Sequence, residues 1–149
     1  MPGQEAERPP GDAARAMCFV CGPANPYGLH VEFVQKDGAS EATFTPPAHL
    51  QGWPGVLHGG IVITLLDEAL AYAAWHAGLQ GMTARLEVRL RRPAPLETPL
   101  VVRGWLEHRS ARAARARAEL LQGDTVLAEA SGVVYRARIS QDGRATLAD

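Results

Sequence analysis

The stretch His58-Gly59-Gly60-Ile61-Val62-Ile63-Thr64-Leu65-Leu66-Asp67-Glu68 joins a glycine pair to an apolar run that ends in two carboxylates. Its spacing predicts a helix from residue 59 to about 77, closed by Gly78 as a C-terminal cap. Leucines, isoleucines and alanines cover most of the surface of that helix, so it must be enclosed on nearly all sides. Gly59 and Gly60 permit a tight turn and leave N–H groups unshielded at the helix start. Those N–H groups and the helix dipole form a site for a developing oxyanion. A carboxylate in an apolar helix is costly to bury unless something answers it. Acid chemistry beside an anion-stabilising turn is the reading these residues suggest.

Outward from the helix the period changes from 3.6 to 2. Upstream, Leu29, Val31 and Phe33 alternate with His30, Glu32 and Val34, and Ser40 to Thr45 alternates with Ala42 and Phe44 on one face. Lys36-Asp37-Gly38 between them reads as the turn of a hairpin. Residues 46–57 hold three prolines, two glycines and Trp53, a structured loop. Downstream, Leu86, Val88 and Leu90 oppose Arg85, Glu87, Arg89 and Arg91. A strand at 100–108 follows, then Ala114, Ala116, Ala118 and Leu120 against Arg115, Arg117 and Glu119. Gln122-Gly123-Asp124 is a second turn, and 125–138 the last long strand. The fold class is therefore α+β: one long buried helix wrapped by a curved antiparallel sheet of about six strands. A single sheet has edges and a single helix leaves surface uncovered, so two subunits are expected to pair.

The 149 residues fit one domain at 17–138, between a flexible tail at 1–16 and a C-terminal tail at 139–149 that loses the pattern. Hydrophobic content of 46% and charged content of 21% suit a soluble globular chain. A net charge of −1 gives no reason to expect nucleic acid or an anionic membrane as partner. No apolar stretch reaches the roughly 18 residues of a membrane span. Residues 1–16 lack the apolar core of a signal peptide, so two cysteines point to a reducing cytoplasm.

His58-Gly59-Gly60, with Leu57 ahead of it and Asp67 in the tenth place counted from His58, resembles the motif of hotdog-fold acyl-CoA thioesterases of the PaaI type, the phenylacetate-degradation branch. Gly81-Met82-Thr83, leading into a strand that ends at Arg92-Pro93, is similar to a later element of that family. Cys18-x-x-Cys21-Gly22 with Asn25-Pro26-x-Gly28-Leu29 resembles a stretch of one sub-branch, so the likeness runs from about residue 18 to 138. The resemblance implies a single-domain hotdog fold and hydrolysis of an acyl-CoA thioester, without metal or cofactor, at a site between the subunits of a homodimer or homotetramer. It implies that the Gly59 N–H holds the thioester carbonyl. Asp67 of the facing subunit acts as nucleophile or general base, Thr83 positions water or substrate, and His58 fixes the turn. The family often has an asparagine in the loop before the motif; Gln51 is the amide available here.

Asp67 and Glu68 point about 100° apart on a helix and cannot both face one site. Gly60, Thr64, Asp67 and Ala71 form a small-residue stripe at helical spacing, which favours Asp67. Gly60, Thr64 and Glu68 are then substrate-lining candidates, with Gln51, Arg91 and Arg92 as contacts for the substrate or its phosphates. The arginines from 109 to 117 read first as a solvated strand face and otherwise as contacts for the CoA phosphates, for which Arg85 and Arg89 are also candidates; Trp53, Trp75 and Trp105 read as core or interface residues. Cys18 and Cys21 lack the four ligands of a structural zinc site, and His30 and His49 are not at finger spacing. The two thiols read as packing residues in a substrate-side loop. Two other functions fit the fold: an acyl-CoA hydratase or dehydratase, and a non-catalytic acyl-CoA-binding protein.

Overall fold

The computed structural model describes residues 15–148. One helix, α1 (Gly59–His76), lies against a sheet built from β1 (Val34–Lys36), β2 (Ala39–Phe44), β3 (Gly81–Leu90), β4 (Leu100–Arg109), β5 (Ala113–Gln122), β6 (Thr125–Ile139) and β7 (Ala145–Leu147). The order across the sheet is β1-β2-β4-β5-β6-β3, all antiparallel, and β7 adds to the far end of β6. This is the predicted helix-on-sheet architecture, with seven strands where about six are expected. No helix among the described residues is long and apolar enough to cross a membrane.

The alternation in β5 works as the sequence indicates. Ala114, Ala116, Ala118 and Leu120 are buried, and Arg115 and Arg117 are exposed. Alanine faces on the central strands let α1 come close, and Gly104 of β4 takes this furthest: a Cβ there would stand 2.2 Å from the carbonyl oxygen of Ala69. Leu65, Leu66 and Leu70 are fully buried, with Val102, Leu120 and Val134 from the sheet in the same core. Each such leucine contributes about 1.5–3 kcal/mol by leaving water. On the outer face, Arg103 meets Glu41 at 3.1 Å and Arg117 meets Glu107 at 3.4 Å. The helix ends as predicted at Gly78, whose φ of 86° places it in the left-handed region. Gly78 N–H donates to Trp75 O at 2.8 Å and Leu79 N–H to Ala74 O at 2.9 Å, the paired bonds of a Schellman cap. The Arg109 guanidinium donates to the Ala77 carbonyl, satisfying another helix-end acceptor.

Three local expectations are revised. The hairpin forms at Asp37-Gly38, but its first strand is only Val34–Lys36. Val31 and Phe33 are buried as their alternation suggests. The backbone of that segment is engaged elsewhere: Leu29 N–H donates to Phe19 O and Val31 N–H to Val20 O, both at 2.8 Å. Beyond residue 139, the short β7 pairs with Ala137, Arg138 and Ile139 although none of its residues is buried. Trp53 is 83% exposed, so it is no core residue. Of the tail at 1–16, all but Arg15 and Ala16 lies outside the described residues.

Candidate functional site

The loop before α1 is built from its own hydrogen bonds. A 3-10 turn, Ala48–Leu50, is followed by a bridge between Gln51 and Leu57. Gly52 N–H donates to Val56 O and His58 N–H to Leu50 O, both at 2.9 Å. Gln51 accepts the Gly55 N–H on its side-chain oxygen at 3.0 Å, so this amide first holds the loop. His58 is the N-cap of α1, and its Nδ1 accepts the Gly60 N–H at 2.9 Å. A ring nitrogen that accepts carries no proton, so a neutral His58 has its proton on Nε2. The His58 carbonyl accepts from Ile61 and Val62 at 2.9 and 3.2 Å. Among the described residues, the Gly59 N–H is the one donor of this first turn without an acceptor.

Gly59 lines a cleft of about 790 Å³ together with Gln51, Trp53, Leu57, His58, Val62, Leu90, Arg91, Arg92 and Leu127 among others. Five of the ten predicted site residues therefore converge: Gln51, His58, Gly59, Arg91 and Arg92. Its walls are aliphatic and its rim carries the two arginines. Arg91 pairs with Glu129 at 2.6 Å, which holds the Glu129 carboxyl below its ordinary range. The backbone N–H groups of Arg91 and Arg92 both donate to Leu127 O, fixing the rim to β6. Trp53, expected in the core or an interface, stands at the mouth.

The other five predicted residues lie elsewhere. Gly60 is exposed, and Thr64 donates its hydroxyl to Gly60 O at 2.8 Å. Asp67 lies on the half-exposed stripe of α1 with Thr64 and Ala71, outside the cleft of its own chain. Thr83 precedes a bulge at Ala84 in β3. Strict alternation would set Thr83 with Arg85 and Glu87, but the extra residue returns it to the half-buried face of Leu86 and Val88. Glu68 turns away from Asp67, as helical geometry requires, and its Oε1 lies 3.7 Å from Cys18 Sγ.

Glu68, Cys18 and Cys21 bring their donor atoms within 4.8 Å of one another. Burial, and next the charge of Cys18, push the Glu68 carboxyl up to about 7. The hydrogen bond between the two thiols is the largest influence on both, drawing Cys18 below the ordinary thiol range and Cys21 above it. Sequence spacing gave no sign of this group, because Glu68 joins the thiols from 50 residues away. Of the arginines from 109 to 117, Arg109 caps α1 and Arg117 pairs with Glu107 on the outer face, while Arg112 and Arg115 are exposed.

The family model of the Thioesterase superfamily matches residues 54–129, which include most of the cleft lining, α1, β3 to β5 and the start of β6. The chain is 34% identical over 115 residues to acyl-coenzyme A thioesterase THEM4 of Bos taurus, covering 73% of this chain and 47% of that protein. It spans less than half the length of the THEM4 relatives it matches. A crystal structure of a thioesterase superfamily protein superposes with a TM-score of 0.75 at 33% identity, covering 80% of this chain and 60% of that one. The E. coli PaaI protein from the phenylacetic acid degradation operon shares the fold, with a TM-score of 0.67 at 23% identity over 72% of this chain and 80% of that one. With the motif, the buried helix and strands β3 to β5 inside the matched region, the chain belongs to the thioesterase superfamily.

Proposed function

We propose that the protein hydrolyses acyl-CoA thioesters to a free carboxylic acid and CoA at a site shared by two subunits. The observation that carries the reading is the Gly59 N–H, the acceptor-less donor at the start of α1, on a residue that lines an aliphatic-walled cleft. A thioester carbonyl directed there would gain a donor fixed before reaction, worth roughly 3–4 kcal/mol as charge develops on oxygen. The acid comes from the facing chain. Eight residues of helix separate Gly59 from Asp67 by about 12 Å along the axis, too far for one chain to apply both to one carbonyl. The uncovered stripe carrying Asp67 and the unpaired outer edge of β3 support a second copy as the missing wall.

In this reading Asp67 acts as general base on a water, or as nucleophile. With water, Asp67 takes its proton as the oxygen adds to the carbonyl, the oxyanion collapses with cleavage of the C–S bond, and the departing thiolate takes that proton. As nucleophile, Asp67 displaces the thiolate to form an anhydride that water then hydrolyses. Thioesters lack the resonance stabilisation of oxygen esters, so one carboxylate and one or two N–H donors suffice. Arg91 and Arg92 at the rim suit the CoA phosphates, Gln51 and Trp53 flank the entrance, and His58 holds the turn. Thr83, on the inner face of β3, is the hydroxyl available to position water. The relatives named as acyl-coenzyme A thioesterases support this substrate class.

The test is release of free thiol from a panel of acyl-CoAs, from acetyl to long-chain and aromatic. Asp67→Asn is expected to keep its circular dichroism and to lose at least about 100-fold in kcat. Full activity in Asp67→Asn would remove the proposed acid. Hydration of an enoyl-CoA without thiol release would point to the hydratase reading instead.

A further inference from the structure

We propose that Cys18, Cys21 and Glu68 form a binding site for a thiophilic divalent cation of the zinc class, with a water in the fourth position. Tetrahedral zinc has bonds of about 2.3 Å to sulfur and about 2.0–2.2 Å to oxygen, which set neighbouring donors roughly 3.5–3.8 Å apart. Cys18 Sγ already lies 3.7 Å from Glu68 Oε1, and all three donors fall within 4.8 Å. Two soft thiolates and one carboxylate select zinc over magnesium or calcium.

The loop that carries the thiols is shaped for this. Cys18 N–H donates to Arg15 O at 2.9 Å, which anchors the start of the turn. Gly22 N–H donates to Cys18 O, and Ala24 N–H to Ala16 O, both at 2.9 Å. The turn is so tight that a Cβ at Gly22 would meet Cys18 N at 2.4 Å and Ala16 O at 2.5 Å. Glu68 approaches from the fully independent α1, which is itself held by the core. Charge also closes. Two thiolates and a carboxylate around a divalent ion leave one negative charge, and the Arg15 guanidinium is near enough to act on Glu68. That arginine is stacked 4.8 Å over the Trp75 ring and 5.7 Å over the Tyr72 ring. The bound ion would tie the segment before β1 to the middle of α1, one residue from Asp67.

The test uses the reduced full chain, free of any affinity tag, titrated with Co2+ alone and then with Zn2+ as competitor. The expected result is one cobalt per chain, with thiolate-to-cobalt charge-transfer bands that zinc abolishes. Cys18→Ser and Cys21→Ser should each lose those bands, and Glu68→Gln should weaken binding by at least about tenfold. Absence of the bands in the reduced wild-type chain would overturn the proposal, whatever the variants do. So would bands that survive both cysteine substitutions, or binding undiminished by Glu68→Gln. None of these readouts depends on thioester hydrolysis.

Discussion

Proline at position 59 separates the Gly59 amide from everything else that residue does. The first position of a helix accepts proline because its N–H has no intrahelical acceptor, and the fixed φ suits the turn. His58 already has φ −55° and ψ 130°, the extended backbone that proline imposes on the residue before it. The nearest side-chain neighbour of an added Cβ is Leu90 Cδ1 at 3.3 Å, the tip of a side chain that is 54% exposed. Gly59→Pro should therefore fold and melt close to wild type while kcat falls by about 100- to 1000-fold. Thiol-release kinetics beside a thermal melt checks this; an unaltered kcat removes the Gly59 N–H from the mechanism. At the same scale, His58 shows how a residue that looks catalytic serves as a cap. Its Nδ1 is occupied by the Gly60 N–H, and that bond orders the turn on which the free donor depends.

The packing of α1 on β4 rests on the absence of a side chain at Gly104. Gly104→Ala would drive a methyl group into the backbone of Ala69, so helix and sheet must move apart. An overpacked core of this kind costs about 1–3 kcal/mol. The urea midpoint should fall by the corresponding amount with an unchanged slope. An unchanged midpoint would show that the helix does not rest there. The long elements were legible for two reasons: α1 is a long apolar run between a glycine pair and a capping glycine, and one-sided burial leaves a period of 2 in β5 and β6. Partners were less so. Alternation at Val31 and Phe33 reports their burial correctly, yet the backbone of that segment pairs with Phe19 and Val20, which no periodicity reveals. Three exposed residues of β7 carry no pattern to read. The cleft residues Gln51, His58, Gly59, Arg91 and Arg92 were legible through motif and order along the chain. Glu68 beside two thiols was not, since 50 residues separate it from Cys18 and only the fold closes that distance. The bulge at Ala84 explains Thr83 likewise, because an inserted residue shifts the face of every position before it.

For the molecule as a whole, the spacing along one helix becomes a question of which chain supplies what. Gly59 and Asp67 stand about 12 Å apart on α1, and the site proposed for them pairs each with its counterpart across the dimer. Two individually inactive proteins, Gly59→Pro and Asp67→Asn, should then restore each other when co-expressed and allowed to assort at random. Half of the dimers would be mixed, and each mixed dimer would join the untouched amide of one chain to the untouched acid of the other. About a quarter of the wild-type sites would return, measurable as thiol release per dimer against each variant alone. No recovery from verified mixed dimers would mean that the two groups do not meet across the interface. An active site inherited in halves also changes what a damaging substitution does in a mixed population. In the proposed dimer, a chain that has lost its acid would still lend its amide, so the defect would dilute the activity of its partners without abolishing it.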